Sequence, residues 1–417
     1  MAITTMTASH AVGKGKPDPS FSSAHGAGSA IAKFGKDKVT DATLGVLKDE
    51  NGDFLTLPSV EACYRSLPGN ELMDYAPIEG LGDFIKAAKE YVFRGHQPEG
   101  TYCTGVATPG GSGAIHHIIF NYVEQGGTFM IPVWHWGPYR EMATEVDRKW
   151  ETYEMFDESG KFSLKDLKKK AVELLKVQDS LVTIFNTPAH NPSGYSMTNE
   201  DWAEVTEFYR DCARDTSKRI IILWDMAYID YAGDPHKLRE FLKNFEGLPE
   251  NILVAIAFSM SKSFLCYGLR SGALLCLTPS RAVADEFEQV NTFSNRATWS
   301  NGSRGAQRLL AEVMGDKGLL ETVERERTAY RIMLEKRAQM FFSEAKSVGL
   351  HTLPYTAGFF ATVPAKETGA LAGKLSDQNI FVIPLAKAIR LALSAVPTSK
   401  IPGLATKIKD LYAGHEV

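Results

Sequence analysis

The sequence predicts an α/β protein with a mostly parallel sheet covered by helices on both faces, and three observations carry that prediction. Five short apolar runs are of strand length: TFMIPV from Thr128, LVTIF from Leu181, RIIILW from Arg219, ILVAIAFS from Ile252 and GALLCL from Gly272. Several are almost wholly apolar, as strands buried on both faces are. Between them lie segments of helical period, and strand and helix alternate along the chain from Gly80 onward, the order that builds a parallel sheet.

Each element has its own local signal. Leu81 to Phe93 sets Phe84, Ala88, Tyr91 and Val92 at helical spacing. Thr198, followed three residues later by Asp201, reads as a capping box that opens a helix with Trp202, Val205 and Tyr209 on its inner face. TPGGSGAIHHII is a glycine-rich turn running into a helix. A long charged amphipathic helix covers residues 317–345 and is suited to link two domains, after which smaller strands and helices run from His351 to the end. The run Lys168-Lys169-Lys170 reads as a solvated helix face. Residues 1–40, rich in Gly, Ala, Ser and Lys, read as an arm or loosely ordered lead-in. The expected division is residues 1–50 as arm and part of a small domain, 51–328 as the large domain, and 329–417 as the small domain.

Composition narrows the function. A net charge of −4 over 417 residues offers no basic field for nucleic acid or an anionic membrane. The longest apolar runs fall short of a membrane span. The five cysteines are scattered with no CxxC spacing, which argues against a disulfide framework or a zinc site and fits a reducing cytoplasm. His116, His117 and His190 do not form a metal set and read as structural, so no metal is expected.

Three strand ends carry candidate chemistry, where open parallel sheets place ligands. NTPAHNPSG after LVTIF supplies the amide of Asn191; WDMAY after RIIIL supplies Asp225 and Tyr228; SMSKSF after ILVAIAF supplies the amine of Lys262. A lysine near buried surface is a candidate amine nucleophile or Schiff-base former. A carboxylate ending a buried strand is able to pair with a buried cation, or simply to cap a helix. Gly110, Gly111 and Ser112 at a helix start, with Arg270 for charge, make a candidate phosphate site.

Taken in order, from LGVLKDENG at Leu44 to IRLALS at Ser394, these segments resemble the class I aminotransferases of the pyridoxal-phosphate (PLP) fold type I, closest to the aspartate and aromatic amino acid aminotransferases. The resemblance implies a large domain with a seven-stranded sheet, a smaller α+β domain, and transfer of amino groups between L-amino acids and 2-oxo acids by ping-pong kinetics. It implies Lys262 as the Schiff-base lysine, Asp225 as partner of the pyridine nitrogen, and Tyr228 and Asn191 on the cofactor's 3-oxygen. Gly111, Ser112, Ser259, Ser261 and Arg270 would surround the phosphate, and Trp136, or alternatively Trp134, would stack on the ring. Tyr75 in YAPIEGL would reach the phosphate of a neighbouring subunit in a homodimer. Arg390 would pair with the substrate α-carboxylate, near Gly45 and Asn191. Arg296, given by the partner subunit, would bind a distal carboxylate and favour aspartate and glutamate, with aromatic substrates still open. Ser112 and Ser193 stand where threonine is more usual, and both keep the hydroxyl. A PLP-dependent lyase or decarboxylase on the same fold, and a non-catalytic binding module, are the alternatives.

Overall fold

The computed structural model describes residues 5–15 and 18–417; positions 1–4 and 16–17 of the expected N-terminal arm lie outside the described residues. The chain forms two compact units. Phe54–Ala338 with Leu353–Phe360 make the larger; the described residues up to Asp53, with Gln339–Thr352 and Ala361–Val417, make the smaller. The division falls inside one continuous helix, Lys317–Ser347.

The larger unit is built on seven strands: β1 (Tyr102–Thr108), β2 (Thr128–Pro132), β3 (Lys149–Tyr153), β4 (Ser180–Asn186), β5 (Arg219–Asp225), β6 (Ile252–Ser259) and β7 (Gly272–Thr278). Their order across the sheet is β1-β7-β6-β5-β4-β2-β3. Only β7 runs against its neighbours, antiparallel to both β1 and β6. The pairings among β2 to β6 are parallel. Every residue of β4, β6 and β7 is buried. Helices cover the sheet and close a core that includes Ile118, Phe129, Ile184, Leu223, Leu274 and Phe287. Each such side chain contributes about 1.5–3 kcal/mol relative to exposure.

Local signals explain the helices. Gly82–Phe93 buries Phe84, Ala88, Tyr91 and Val92, the residues its period set on one face. Asn199–Cys212 opens on the full capping box: the Thr198 hydroxyl accepts from the Asp201 amide at 3.1 Å, and the Asp201 carboxylate accepts from the Thr198 amide at 2.8 Å. Gly272 permits a close crossing at the start of β7, because a Cβ there would lie 2.3 Å from the Phe258 carbonyl and 2.7 Å from the Gly110 backbone. That crossing brings the end of β6 and the start of helix Gly110–Tyr122 together.

In the smaller unit, Ile383–Pro384, Ala388–Ala392 and Phe360–Pro364 form a three-stranded sheet in that order. Thr40–Asp41 pairs in parallel with Ile380–Phe381. The expected loose lead-in is corrected here, because Pro19–Phe34 is a helix. Its two glycines lower its intrinsic propensity. Tertiary packing holds it instead: Ala27 and Ala30 are buried, and Gly26 lets the Phe381 ring approach to 3.4 Å of where a Cβ would stand.

All five cysteines are free thiols. Among the described residues no helix is long and apolar enough to cross a membrane.

Candidate active site

Polar residues end three adjacent apolar strands at matched register. Asn186 closes β4 opposite Asp225 at the end of β5, and Asp225 lies opposite Ala257 near the end of β6, which closes on Ser259. The strands run parallel, so these ends share one edge of the sheet, and the residues just beyond them converge on a cavity of about 230 Å³. Gly111, Ser112, Trp136, Asn191, Asp225, Tyr228, Ser259, Ser261, Lys262 and Arg270 all line it. Those ten positions span Gly111 to Arg270, and the fold brings them together. Trp134 is not among the lining residues, whereas Trp136 is.

One wall is an anion cradle. Helix Gly110–Tyr122 points its N-terminus at the cavity, and its free amides and dipole favour negative charge there. Gly110 has φ +65°, and a Cβ on it would meet the Arg270 guanidinium at 2.9 Å. Arg270 itself is steered by a bond from Nη1 to the Ser261 hydroxyl at 3.1 Å and another to the Tyr267 carbonyl at 3.0 Å. The Ser259 hydroxyl accepts from the Ser261 amide at 3.2 Å and caps the short helix Met260–Ser263 that carries Lys262.

The rest of the lining holds an amine, a carboxylate and a phenol. Lys262 is half-buried, its Nζ 5.6 Å from the centre of the Tyr228 ring and 5.4 Å from that of Tyr267. Asp225 is buried. Its Oδ1 accepts from the Ala227 amide at 3.2 Å and its Oδ2 from the Tyr139 hydroxyl at 2.5 Å. Burial pushes the Asp225 carboxyl above its ordinary range, while the Tyr139 and Ala227 bonds and the Lys262 charge pull the other way. The Asn191 amide donates to the Tyr228 hydroxyl at 3.4 Å.

Two positions here went unassigned in the sequence. Asn186 ties two strand ends and a loop: its Nδ2 donates to the Asp225 carbonyl at 3.1 Å, and its Oδ1 accepts from the Asn191 amide at 2.7 Å. A polar residue ending an otherwise apolar strand was the available signal, the same one that marked Asp225. Tyr139, the second, carries no motif.

The remaining expected residues lie elsewhere. Tyr75 is 81% exposed. Arg296 is exposed on helix Arg281–Thr298, donates to the Ser300 hydroxyl at 2.6 Å, and lines a separate cavity of about 700 Å³. In the smaller unit, buried Arg390 donates from Nη2 to the Thr43 carbonyl at 3.2 Å, beside the turn carrying Gly45. His117 bonds Asn295 at 3.0 Å and stacks on Trp299, and burial lowers its pKa to about 4. His190 contacts the Ser193 hydroxyl at 2.8 Å.

The family model for class I and II aminotransferases matches residues 38–408. The chain belongs to that family. A solved aminotransferase from Anaerococcus prevotii is 37% identical, with a TM-score of 0.95 over 98% of this chain and 99% of that one. The aspartate aminotransferase of Salmonella typhi is 26% identical across 73% of this chain and 76% of its own length. The mitochondrial aspartate aminotransferase of Gallus gallus is 23% identical across 95% and 92%. An aromatic amino acid aminotransferase from Burkholderia cenocepacia shares the fold, with 21% identity and a TM-score of 0.77.

This aminotransferase is therefore a PLP-dependent transaminase. The cavity fits that cofactor on its own chemistry. It offers an amine, a buried carboxylate, a phenol paired with an amide, and a helix N-terminus beside Arg270 where a Cβ at Gly110 would collide with the guanidinium, groups of the kinds able to meet an aldehyde, a ring nitrogen, a phenolic oxygen and a phosphate.

Proposed function

We propose that this aminotransferase exchanges amino groups between acidic L-amino acids, aspartate or glutamate, and 2-oxo acids, and that it does so as a homodimer in the cytoplasm. The observation that carries the site assignment is the convergence of Lys262, Asp225 and the Gly111–Ser112–Arg270 cradle on one cavity. Ser112, Ser259, Ser261, Arg270 and the amide of Gly111 would hold the phosphate. Asn191 and Tyr228 would take the 3-oxygen, Asp225 the ring nitrogen, and Trp136 one face of the ring.

Bound PLP supplies an aldehyde that condenses with amines and a ring that draws electrons from the substrate Cα–H bond. Lys262 Nζ would hold the cofactor, and as a free amine it would serve as the general base that takes the proton from the substrate Cα. Arg390 would pair with the substrate α-carboxylate as a two-pronged donor and orient the Cα–H bond. Asp225, desolvated and hydrogen-bonded, would favour a proton on the ring nitrogen.

Support for acidic substrates comes from Arg296 and from relatives named aspartate aminotransferases. Arg296 lines a different cavity from Lys262 within one chain, so a role at the substrate requires a second subunit. Exposed Met73, Tyr75 and Phe293 offer apolar surface for that partner.

The test is the absorbance spectrum of the purified protein before and after aspartate, with glutamate and tyrosine alongside. A visible band of lysine-bound cofactor that aspartate bleaches is expected. Bleaching by tyrosine alone would keep the transaminase and remove the acidic preference. In steady state, Arg296→Ala should weaken aspartate and glutamate far more than tyrosine or alanine; equal loss for all would make Arg296 structural.

A further inference from the structure

Tyr139 stands outside every role assigned so far, yet its position is closely defined. It is the second residue of helix Pro138–Glu145, which opens on a proline suited to that place. Its ring is 1% exposed within the apolar core of the sheet, and the Trp136 ring packs perpendicular to it at 5.5 Å. Its hydroxyl lies 2.5 Å from Asp225 Oδ2. Burial first, and then the adjoining carboxylate, hold the phenol protonated far beyond its usual range, so the hydroxyl is a donor at every working pH. A buried carboxylate that accepts a short bond from a fixed donor is held in one rotamer and favoured in its charged form.

We propose that Tyr139 is a positioning residue for the transaminase reaction, its hydroxyl fixing the Asp225 carboxylate as the acceptor for the cofactor's ring nitrogen. This inference rests on the reading of Asp225 given above. The Ala227 amide holds the other carboxylate oxygen, so Tyr139 and Ala227 together set the plane of the group. The other titratable groups around the pair are Lys262 on the Asp225 side and Tyr228 and Tyr153 on the Tyr139 side. The two tyrosines act on Tyr139 as neutral groups when their own phenols are protonated, which leaves Lys262 and the cofactor as the charges Asp225 meets.

The test is a double-mutant cycle read by cofactor affinity rather than turnover. PLP dissociation constants are measured by equilibrium titration for the unsubstituted protein, Tyr139→Phe, Asp225→Asn and the double variant, across acid to neutral pH. Tyr139→Phe should weaken affinity about tenfold, the worth of one hydrogen bond to a charged group. The loss should grow as pH falls, because a carboxyl without its donor takes up a proton at higher pH. In the Asp225→Asn background the same change should add little. An equal loss from Tyr139→Phe in both backgrounds would mean that the ring acts through packing on Trp136, and the proposal falls. If Asp225→Asn alone leaves affinity unchanged, the reading of Asp225 fails first and the proposal with it. Thermal melts establish that each variant is folded. Should the phenylalanine protein not fold, Tyr139→His, which keeps an N–H donor, runs through the same cycle; affinity that depends on it but ignores Asp225 overturns the proposal.

Discussion

Asp225 and Asp230 lie five residues apart, both buried, 4% and 8% exposed, yet their carboxyls shift in opposite directions. Burial raises both. At Asp230 the charges of Arg327 and Arg239 outweigh burial, and the carboxyl ends below its ordinary range. Arg327 Nη2 sits 3.5 Å from Asp230 Oδ1, and Arg327 Nη1 bonds the Tyr91 hydroxyl at 2.7 Å and the Ser263 carbonyl at 3.0 Å. At Asp225 the donors are a phenol and an amide, and burial wins. One charge is balanced by the chain's own arginines; the other is only partly offset by Lys262. On the role proposed for Asp225, the difference separates a carboxylate that holds structure from one placed to receive a ligand.

Four outcomes would break or sharpen that contrast. The largest belongs to the amine that lines the same cavity as Asp225: Lys262→Ala should abolish turnover and covalent cofactor attachment, and normal turnover would rule the assignment out. Next, Asp230→Asn should cost about 3–5 kcal/mol by denaturant unfolding, because Arg327 is left buried without its counter-charge. A loss under about 1 kcal/mol would mean that the Tyr91 hydroxyl and the Ser263 carbonyl are enough to satisfy that arginine. Asp225→Asn should lower kcat by roughly 10²–10³, as losing other fixed charge-stabilising groups does. In the cofactor-free protein it should instead raise stability by about 1 kcal/mol, since a desolvated charge is removed. Loss of stability in the cofactor-free form would put Asp225 in the same class as Asp230.

The smallest effect is in the pH dependence of cofactor-free stability. Asp230, depressed when folded, contributes stability that is present above the unfolded value near 4 and is lost as pH falls through its folded value. Asp225, raised when folded, does the reverse: the folded protein binds the extra proton, so stability declines as pH climbs from about 4 through the raised value. Melting curves of the unsubstituted protein and Asp225→Asn over that range should diverge with rising pH, and parallel curves would show that Asp225 is not desolvated.

The sequence made the middle of the sheet legible and hid its margins. Strands β2 and β4 to β7 appear as apolar runs, most of them because a strand covered on both faces needs apolar residues at every position. The two strands that were missed, β1 and β3, are the two edges. Their partly exposed residues in TYCTGVAT and KWETY break the apolar run. The site shows the same split. Residues with unusual chemistry after a buried strand, such as Lys262 and Asp225, could be singled out. Tyr139 could not, because a tyrosine near a helix start reads as packing until the carboxylate it faces is placed 86 positions later. Helix Pro19–Phe34 was hidden for a third reason, since small residues pack well against a neighbour but carry no amphipathic stripe.

The pairing of β1 with β7 has a consequence for biosynthesis. Tyr102 meets Thr278 and Thr108 meets Gly272, so the first strand of the sheet waits for the last. On the ribosome β1 stays without its neighbour until the other strands of the sheet have emerged, and such long loop closures make folding slow. Gly111 and Arg270 bracket the same interval, so the cavity they both line is complete only once that closure has occurred. A ligand that binds the closed form alone draws the population toward it by mass action.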